Sequence, residues 1–170
     1  MTIRYQTVLF DWGDTVMCDD PASSVPMVEW DTVRAVPGIA EVLEYLLASG
    51  RRIALATSAQ ISDEGQIRGA LARVGLDRYF FRIYCFKNTN LPKGEAFYRH
   101  ILGDLGIPAS DALMVGDHFE KDVQVPNALG MSAVWFNPRT EETHTEERLV
   151  TVHTMGELYA YFSSFDENRR

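Results

Sequence analysis

Two hydrophobic patterns alternate along the chain: short continuous apolar runs, and longer stretches in which apolar residues recur every three or four positions. Val8-Leu9-Phe10, preceded by Tyr5-Gln6-Thr7, has the length and composition of a buried strand. It ends abruptly on Asp11, before a turn built from Gly13, Asp14 and Thr15. Met17 to Val36 is irregular, broken by Asp19-Asp20-Pro21 and by Ser23-Ser24-Val25-Pro26. Pro37-Gly38 then opens a helical pattern with Ile39, Val42, Leu43, Leu46 and Leu47 on one face, and Ser49-Gly50 closes it. Arg51 to Thr57 is a second buried strand, ending on Thr57-Ser58. Glu64 to Val74 is a helix with Ile67, Leu71 and Val74 inward, stopped by Gly75. The aromatic and β-branched run from Tyr79 to Phe86 predicts a third strand.

The second half repeats the alternation. A helix over Gly94 to Leu105 shows Phe97, Tyr98, Ile101, Leu102 and Leu105, and Gly106-Ile107-Pro108 stops it. Ala112 to Val115 is a fourth strand that runs into Gly116-Asp117. Lys121 to Leu129 predicts a helix that Pro126 kinks or shortens. Ser132 to Phe136 is a fifth strand, and Glu141 to Glu147 a polar loop. Thr154 caps a last helix from Met155 to Phe162, and the tail from Asp166 is expected to fray. Strands alternating with helices indicate an α/β fold, a doubly wound parallel sheet in three α/β/α layers. At 170 residues it is expected to form a single domain, 1–170. Parallel strands bring Asp11, Thr57-Ser58 and Asp117 to one edge of the sheet, where open α/β sheets bind ligands.

Composition narrows the function classes. The formal net charge of −8 argues against general affinity for nucleic acid or anionic membranes. A metal and one lysine can still reverse the field locally for an anionic substrate. Cys18 and Cys85 form no framework and no ligand spacing, so a reducing compartment is expected. There is no signal-peptide pattern and no run approaching the ~18 apolar residues of a membrane span. A cytoplasmic protein is the expectation.

Carboxylates that converge at a strand edge repel one another and need a cation or a proton between them. Oxygen ligands suit magnesium, and Asp11, Asp117 and Asp122 are its natural ligands. An aspartate can also attack phosphorus and form an acyl phosphate, splitting one hard displacement into two easier ones. Thr57, the backbone N–H groups after it and a lysine can then hold the non-bridging oxygens.

Four motifs in order make the chain resemble the haloacid dehalogenase superfamily, most of whose members are magnesium-dependent phosphatases. The family's first motif, a strand followed by Asp-x-Asp-x-Thr, is met by Asp11-Trp12-Gly13-Asp14-Thr15. The second, a strand ending in Thr or Ser, is met by Thr57. The third, a lysine shortly before a helix, is best met by Lys93 in Leu91-Pro92-Lys93-Gly94-Glu95, with Lys87 as its rival. The fourth, Gly-Asp with a further Asp, is met by Gly116, Asp117 and Asp122. The resemblance implies that Asp11 is nucleophile and magnesium ligand, and that the backbone carbonyl of Gly13 is a second ligand. It implies that Thr57 and Lys93 hold the phosphoryl group of a phosphorylated substrate, with Ser58 and Trp12 as neighbours. Asp117 and Asp122 would complete the Mg2+ shell.

One position departs from the pattern. In family phosphatases the second Asp of the first motif protonates the leaving group and then activates water, and here that position is Gly13. Asp14 and His118 are the candidate replacements; the alternatives are a side chain that the one-residue shift in the turn points elsewhere for the first and a hydrogen-bonded loop histidine for the second. Thr57-Ser58 also reads as a helix cap, Asp122 as a first-turn acid, and Trp12, Trp30 and Met27 as core or pocket mouth. Thr15 to Val36 is only 22 residues, short of the ~50 of a small domain, so no separate cap is expected. An open site would favour bulky substrates, or a lid borrowed from a neighbouring subunit in an oligomer. The loss at residue 13 leaves two other readings: a phosphate-sensing or protein-binding module with little turnover, and a phosphonate or haloacid hydrolase.

Overall fold

The computed structural model describes residues 4–167. Seven strands form one sheet: β1 (Thr7–Phe10), β2 (Arg52–Ala56), β3 (Arg82–Tyr84), β4 (Ala112–Gly116), β5 (Ser132–Phe136), β6 (Thr145–Glu146) and β7 (Leu149–Val152). Their order is β3-β2-β1-β4-β5-β7-β6, with every pair parallel except β6 with β7. The helices are α1 (Ile39–Ala48), α2 (Glu64–Arg73), the short α3 (Phe86–Thr89), α4 (Glu95–Leu105), α5 (Val125–Ala128) and α6 (Met155–Glu167).

Strand periodicity sorts the core into two layers. Val8 and Phe10 of β1 join the apolar faces of α1, α2 and α6, including Leu43, Leu71 and Leu158. Leu9 points the other way, into a layer with Phe97, Tyr98 and Ile101 of α4. The result is the expected doubly wound α/β/α sandwich. Local signals start the helices: Gly38, at φ 85°, supplies the left-handed turn before α1. Asp63 and Gln66 bond reciprocally to each other's amides at the start of α2.

The structure corrects several details. The third strand is shorter than Tyr79 to Phe86. Asp77–Tyr79 forms a 3-10 turn, and Cys85 starts α3 by donating its amide to the Asn88 side chain at 2.9 Å. The expected helix from Lys121 begins instead as a wide π-type turn over Phe119–Gln124, continued by α5 with Pro126 in its first turn. The expected loop at Glu141 to Glu147 contains β6, which pairs with the unpredicted β7. The last helix extends past Phe162 to Glu167, so Asp166 lies in a helix; residues 168–170 of the expected frayed tail lie outside the described residues. Leu47, placed on the inward face of α1, is 48% exposed, whereas Leu43 is fully buried.

Two features of this frame position the site. β1 and β4 are neighbours, but the chain leaves them toward opposite edges of the sheet, which makes the gap between their carboxyl ends a topological switch point. Among the described residues there is also no separate cap domain: the segment between β1 and α1 holds one 3-10 turn, Met27–Glu29. The burial difference on α1 is measurable. Leu43→Ala should cost about 2–5 kcal/mol in urea unfolding, and Leu47→Ala about 0.5 kcal/mol.

Candidate active site

Parallel register brings the strand ends together. Thr7 to Phe10 pair with Arg52 to Leu55 on one side and with Ala112 to Val115 on the other. The ladder runs one residue further, since the Asp11 amide donates to the Val115 carbonyl at 2.9 Å. Thr57 is fixed in the same way, its amide donating to the Tyr84 carbonyl at 2.9 Å. Backbone bonding to neighbouring strands therefore holds both side chains at the rim.

Lys93 reaches this rim from the loop before α4. Its ammonium donates to Asp11 Oδ1 at 2.9 Å and lies 2.5 Å from Asp122 Oδ1. The Lys93 side chain is 2% exposed and that of Asp122 fully buried. Lys87, its rival in sequence, is exposed on α3. Asp117 completes the group, because Asp11, Asp117 and Asp122 each offer a carboxylate oxygen within 4.8 Å of the others.

Asp122 arrives by an unusual route. The π-type turn folds it back over β4, where its Oδ2 accepts the His118 amide at 3.0 Å. A Cβ on Gly116 would overlap this carboxylate, so a glycine is what lets Asp122 cross the end of the strand. Tyr98 braces the same turn by donating its hydroxyl to the Lys121 carbonyl at 2.8 Å. His118 is exposed, and its Nδ1 accepts the Lys121 amide at 3.3 Å, which is a capping role.

Charge balance in the cluster is incomplete. Burial works against the Lys93 ammonium, but the Asp11 and Asp122 carboxylates outweigh it and hold its pKa above the ordinary lysine value. Burial, followed by the carboxylates of Asp11 and Asp122, pushes Asp117 up to about 7, with Arg139 opposing. Burial also raises Asp122 despite the nearby lysine. Lys93, with an Arg139 that is exposed and shared between Asp117 and Asp14, thus leaves three converging carboxylates short of positive charge. Hard oxygen donors, close together and in need of a cation, fit a divalent ion such as Mg2+.

The remaining candidates divide between the two sides of the β1 turn. Thr57 and Trp12 are buried and line a cavity of about 230 Å3 with Gly13, Asp19, Ser62 and Trp30. Thr57 Oγ1 accepts the Ala59 amide at 3.0 Å. Ser58 is exposed, outside the cavity lining. Asp14 adopts a left-handed backbone at φ 56°, and its side chain is already engaged. One oxygen accepts the Asp19 amide at 3.0 Å, and the other pairs with Arg139 Nη2 at 2.9 Å. Arg139 also approaches Asp117 Oδ2 at 3.2 Å. Neither Asp19 nor Arg139 is marked by a motif. Both reach the site from irregular segments, without a periodic pattern to fix their direction.

The geometry has two measurable consequences. A carboxyl whose pKa is raised on folding contributes most below its unfolded value near 3.8 and loses that contribution as pH rises through about 7. Metal-free protein should therefore lose melting temperature between pH 4 and pH 7, and Asp117→Asn should flatten the decline. Gly116→Ala, by forcing Asp122 aside, should cost about 1–3 kcal/mol of unfolding free energy. Gly103→Ala, on α4 with open space around it, should instead stabilise by about 0.4–1 kcal/mol.

Comparison with known proteins shows the family of the chain. The family described as haloacid dehalogenase-like hydrolase matches residues 22–136, more than half of the chain. A ribulose-1,5-bisphosphate 5-phosphatase of Halopiger xanaduensis is 31% identical over 156 residues, 86% of this chain and 63% of that protein. A pyrimidine 5'-nucleotidase of Streptococcus pneumoniae is 29% identical over 58% of this chain and 40% of its own length. The chain thus spans between two fifths and two thirds of these curated relatives. Among solved structures, an uncharacterized protein from Listeria monocytogenes serotype 4b superposes with a TM-score of 0.81 at 22% identity, covering 95% of this chain and 99% of that one. A HAD phosphatase from Thermococcus onnurineus gives 0.63 at 25% identity, covering 76% and 58%. The family match spans more than half of the chain, and the chain belongs to the haloacid dehalogenase-like hydrolases.

Proposed function

We propose that this chain is a Mg2+-dependent phosphatase that hydrolyses small phosphate monoesters through an aspartyl-phosphate on Asp11. The observation that carries the reading is the buried Lys93 ammonium, 2.9 Å from Asp11 and 2.5 Å from Asp122, beside a third carboxylate at the same strand edge. The names of the relatives, a nucleotidase and a sugar-bisphosphate phosphatase, support phosphate esters as the substrate class.

Asp11, Asp117 and Asp122 are the residues that would hold the cation. When bound, Mg2+ supplies charge compensation for the phosphoryl oxygens in a low-dielectric site. Asp11 Oδ attacks phosphorus, and the bond to the leaving oxygen breaks. Lys93 donates to Asp11 Oδ1 and lies beside the oxygens that gain charge as the phosphoryl group moves. Thr57, at the adjoining strand end, uses its Oγ1 to accept the Ala59 amide and keeps its hydroxyl hydrogen to donate to a phosphoryl oxygen. Trp12 lies on the cavity wall, and its buried indole N–H has no hydrogen-bond partner among the described residues. Water then attacks the phosphoryl phosphorus, which restores Asp11 and releases inorganic phosphate.

A cytoplasmic setting belongs to the same proposal. Both cysteines are free, and no helix among the described residues is long and apolar enough to cross a membrane. Gly13 favours a second reading, a phosphate-binding module without turnover. The two separate on one comparison. Asp11→Asn should lower Mg2+-dependent hydrolysis of acetyl phosphate and aryl phosphates on the order of a thousandfold or more. Unchanged turnover in that variant would remove Asp11 from the mechanism. Beryllofluoride binding with Mg2+, and no hydrolysis of any ester by the unaltered protein, would favour the module.

A further inference from the structure

Gly13 has no side chain, but the space beside it is filled. A Cβ built on Gly13 would lie 2.8 Å from Asp19 Oδ2, and 3.2 Å from both Cβ and Cγ of the same residue. The place where a residue-13 side chain would begin is therefore occupied by a carboxylate from six positions downstream.

The fold of the turn delivers it there. Gly13 bridges to Met17, and Met17 to Ala35, so the chain doubles back over the end of β1 immediately before Asp19. Asp14 Oδ1 accepts the Asp19 amide at 3.0 Å, and Arg139 holds the other Asp14 oxygen at 2.9 Å. Asp19 Oδ1 accepts the Asp20 amide at 2.9 Å, which fixes the carboxylate plane and leaves Oδ2 beside Gly13. Asp19 also borders the 230 Å3 cavity that it shares with Trp12, Gly13 and Thr57. Asp14 and His118, the nearest acid and base in sequence, are committed to Arg139 and to the Lys121 amide.

We propose that Asp19 is the catalytic proton carrier of this site, standing in for the side chain that Gly13 lacks, and that Asp14 is its positioning residue. The inference rests on the phosphatase reading above. In the first half-reaction Asp11 forms its bond to phosphorus, the bond to the leaving oxygen breaks, and the Asp19 carboxyl gives that oxygen its proton. The product leaves as a neutral alcohol. In the second half-reaction a water oxygen bonds to phosphorus and gives one proton to the Asp19 carboxylate. The bond from phosphorus to Asp11 breaks, inorganic phosphate departs, and both aspartates return to their starting states. A carrier at this position extends the substrate class to esters of ordinary alcohols, whose alkoxides are too basic to leave unprotonated.

The test compares leaving groups. First-turnover rates are measured with Mg2+ for an alkyl phosphate and an aryl phosphate, in the unaltered protein and in Asp19→Asn, which keeps the oxygen that accepts the Asp20 amide. The expected result is a loss of about a hundredfold or more on the alkyl ester and a much smaller loss on the aryl ester. Combining Gly13→Asp with Asp19→Ala should return a substantial part of the alkyl rate, because it moves the carboxylate back to residue 13. Equal losses on both esters, or none on either, would overturn the assignment while the phosphatase reading stands. So would an unaltered protein that cleaves only the aryl ester. Turnover of neither ester by the unaltered protein would sink the phosphatase reading itself, and the assignment with it.

Discussion

The structure depends on one buried ammonium. Lys93 sits between Asp11 and Asp122, with Asp117 beside them, at the carboxyl edge of a sheet whose central strands, β1 and β4, are buried on both faces. Unpaired carboxylates in such a place would protonate or drive the strand ends apart. With the lysine present they stay together, and the remaining excess of negative charge is what a divalent cation can offset before a phosphate dianion binds. Lys93 reaches Asp11 from the loop just before α4, so the packing of Phe97, Tyr98 and Ile101 that seats α4 also sets where that loop ends.

Two glycines give the cluster its shape. At Gly116 the absent side chain lets Asp122 lie across the end of β4, and at Gly13 it lets Asp19 lie across the turn after β1. In each case an acid from a later, irregular segment occupies the space that a Cβ would need. The two turns are held by side chains bonded to backbone: His118 and Asp122 in one, Asp14 and Asp19 in the other. Arg139 ties both sides together by touching Asp14 and Asp117. The open segment between β1 and α1 then forms one wall of the cavity above them, with Trp12 and Trp30 on its lining.

How much of this was legible depended on whether a residue lay on a periodic element. The first five strands follow from apolar runs, and Asp11, Thr57 and Asp117 follow from where those runs stop. Lys93 was separable from Lys87 only by its place before α4, and burial separates them fully: Lys87 lies exposed on a short helix. β6 and β7 were missed because a two-residue polar strand carries no pattern, and its partner, between β5 and that edge strand, is only half-buried. Leu47 was misplaced because five apolar residues make a stripe wider than the surface α1 buries. Asp19 left no signal at all, since its direction comes from the Asp14 side chain and from the bridge of Met17 to Gly13, both products of the folded loop.

The central claim is that phosphorus is transferred to Asp11 before water is used. Rapid acid quenching during turnover of acetyl phosphate with Mg2+, followed by fragment mass spectrometry, tests it most directly. The account predicts one phosphoryl group, localised to Asp11 and absent from Asp11→Asn. Full turnover with no phosphorylated intermediate, or a phosphoryl group found on another residue, would contradict it.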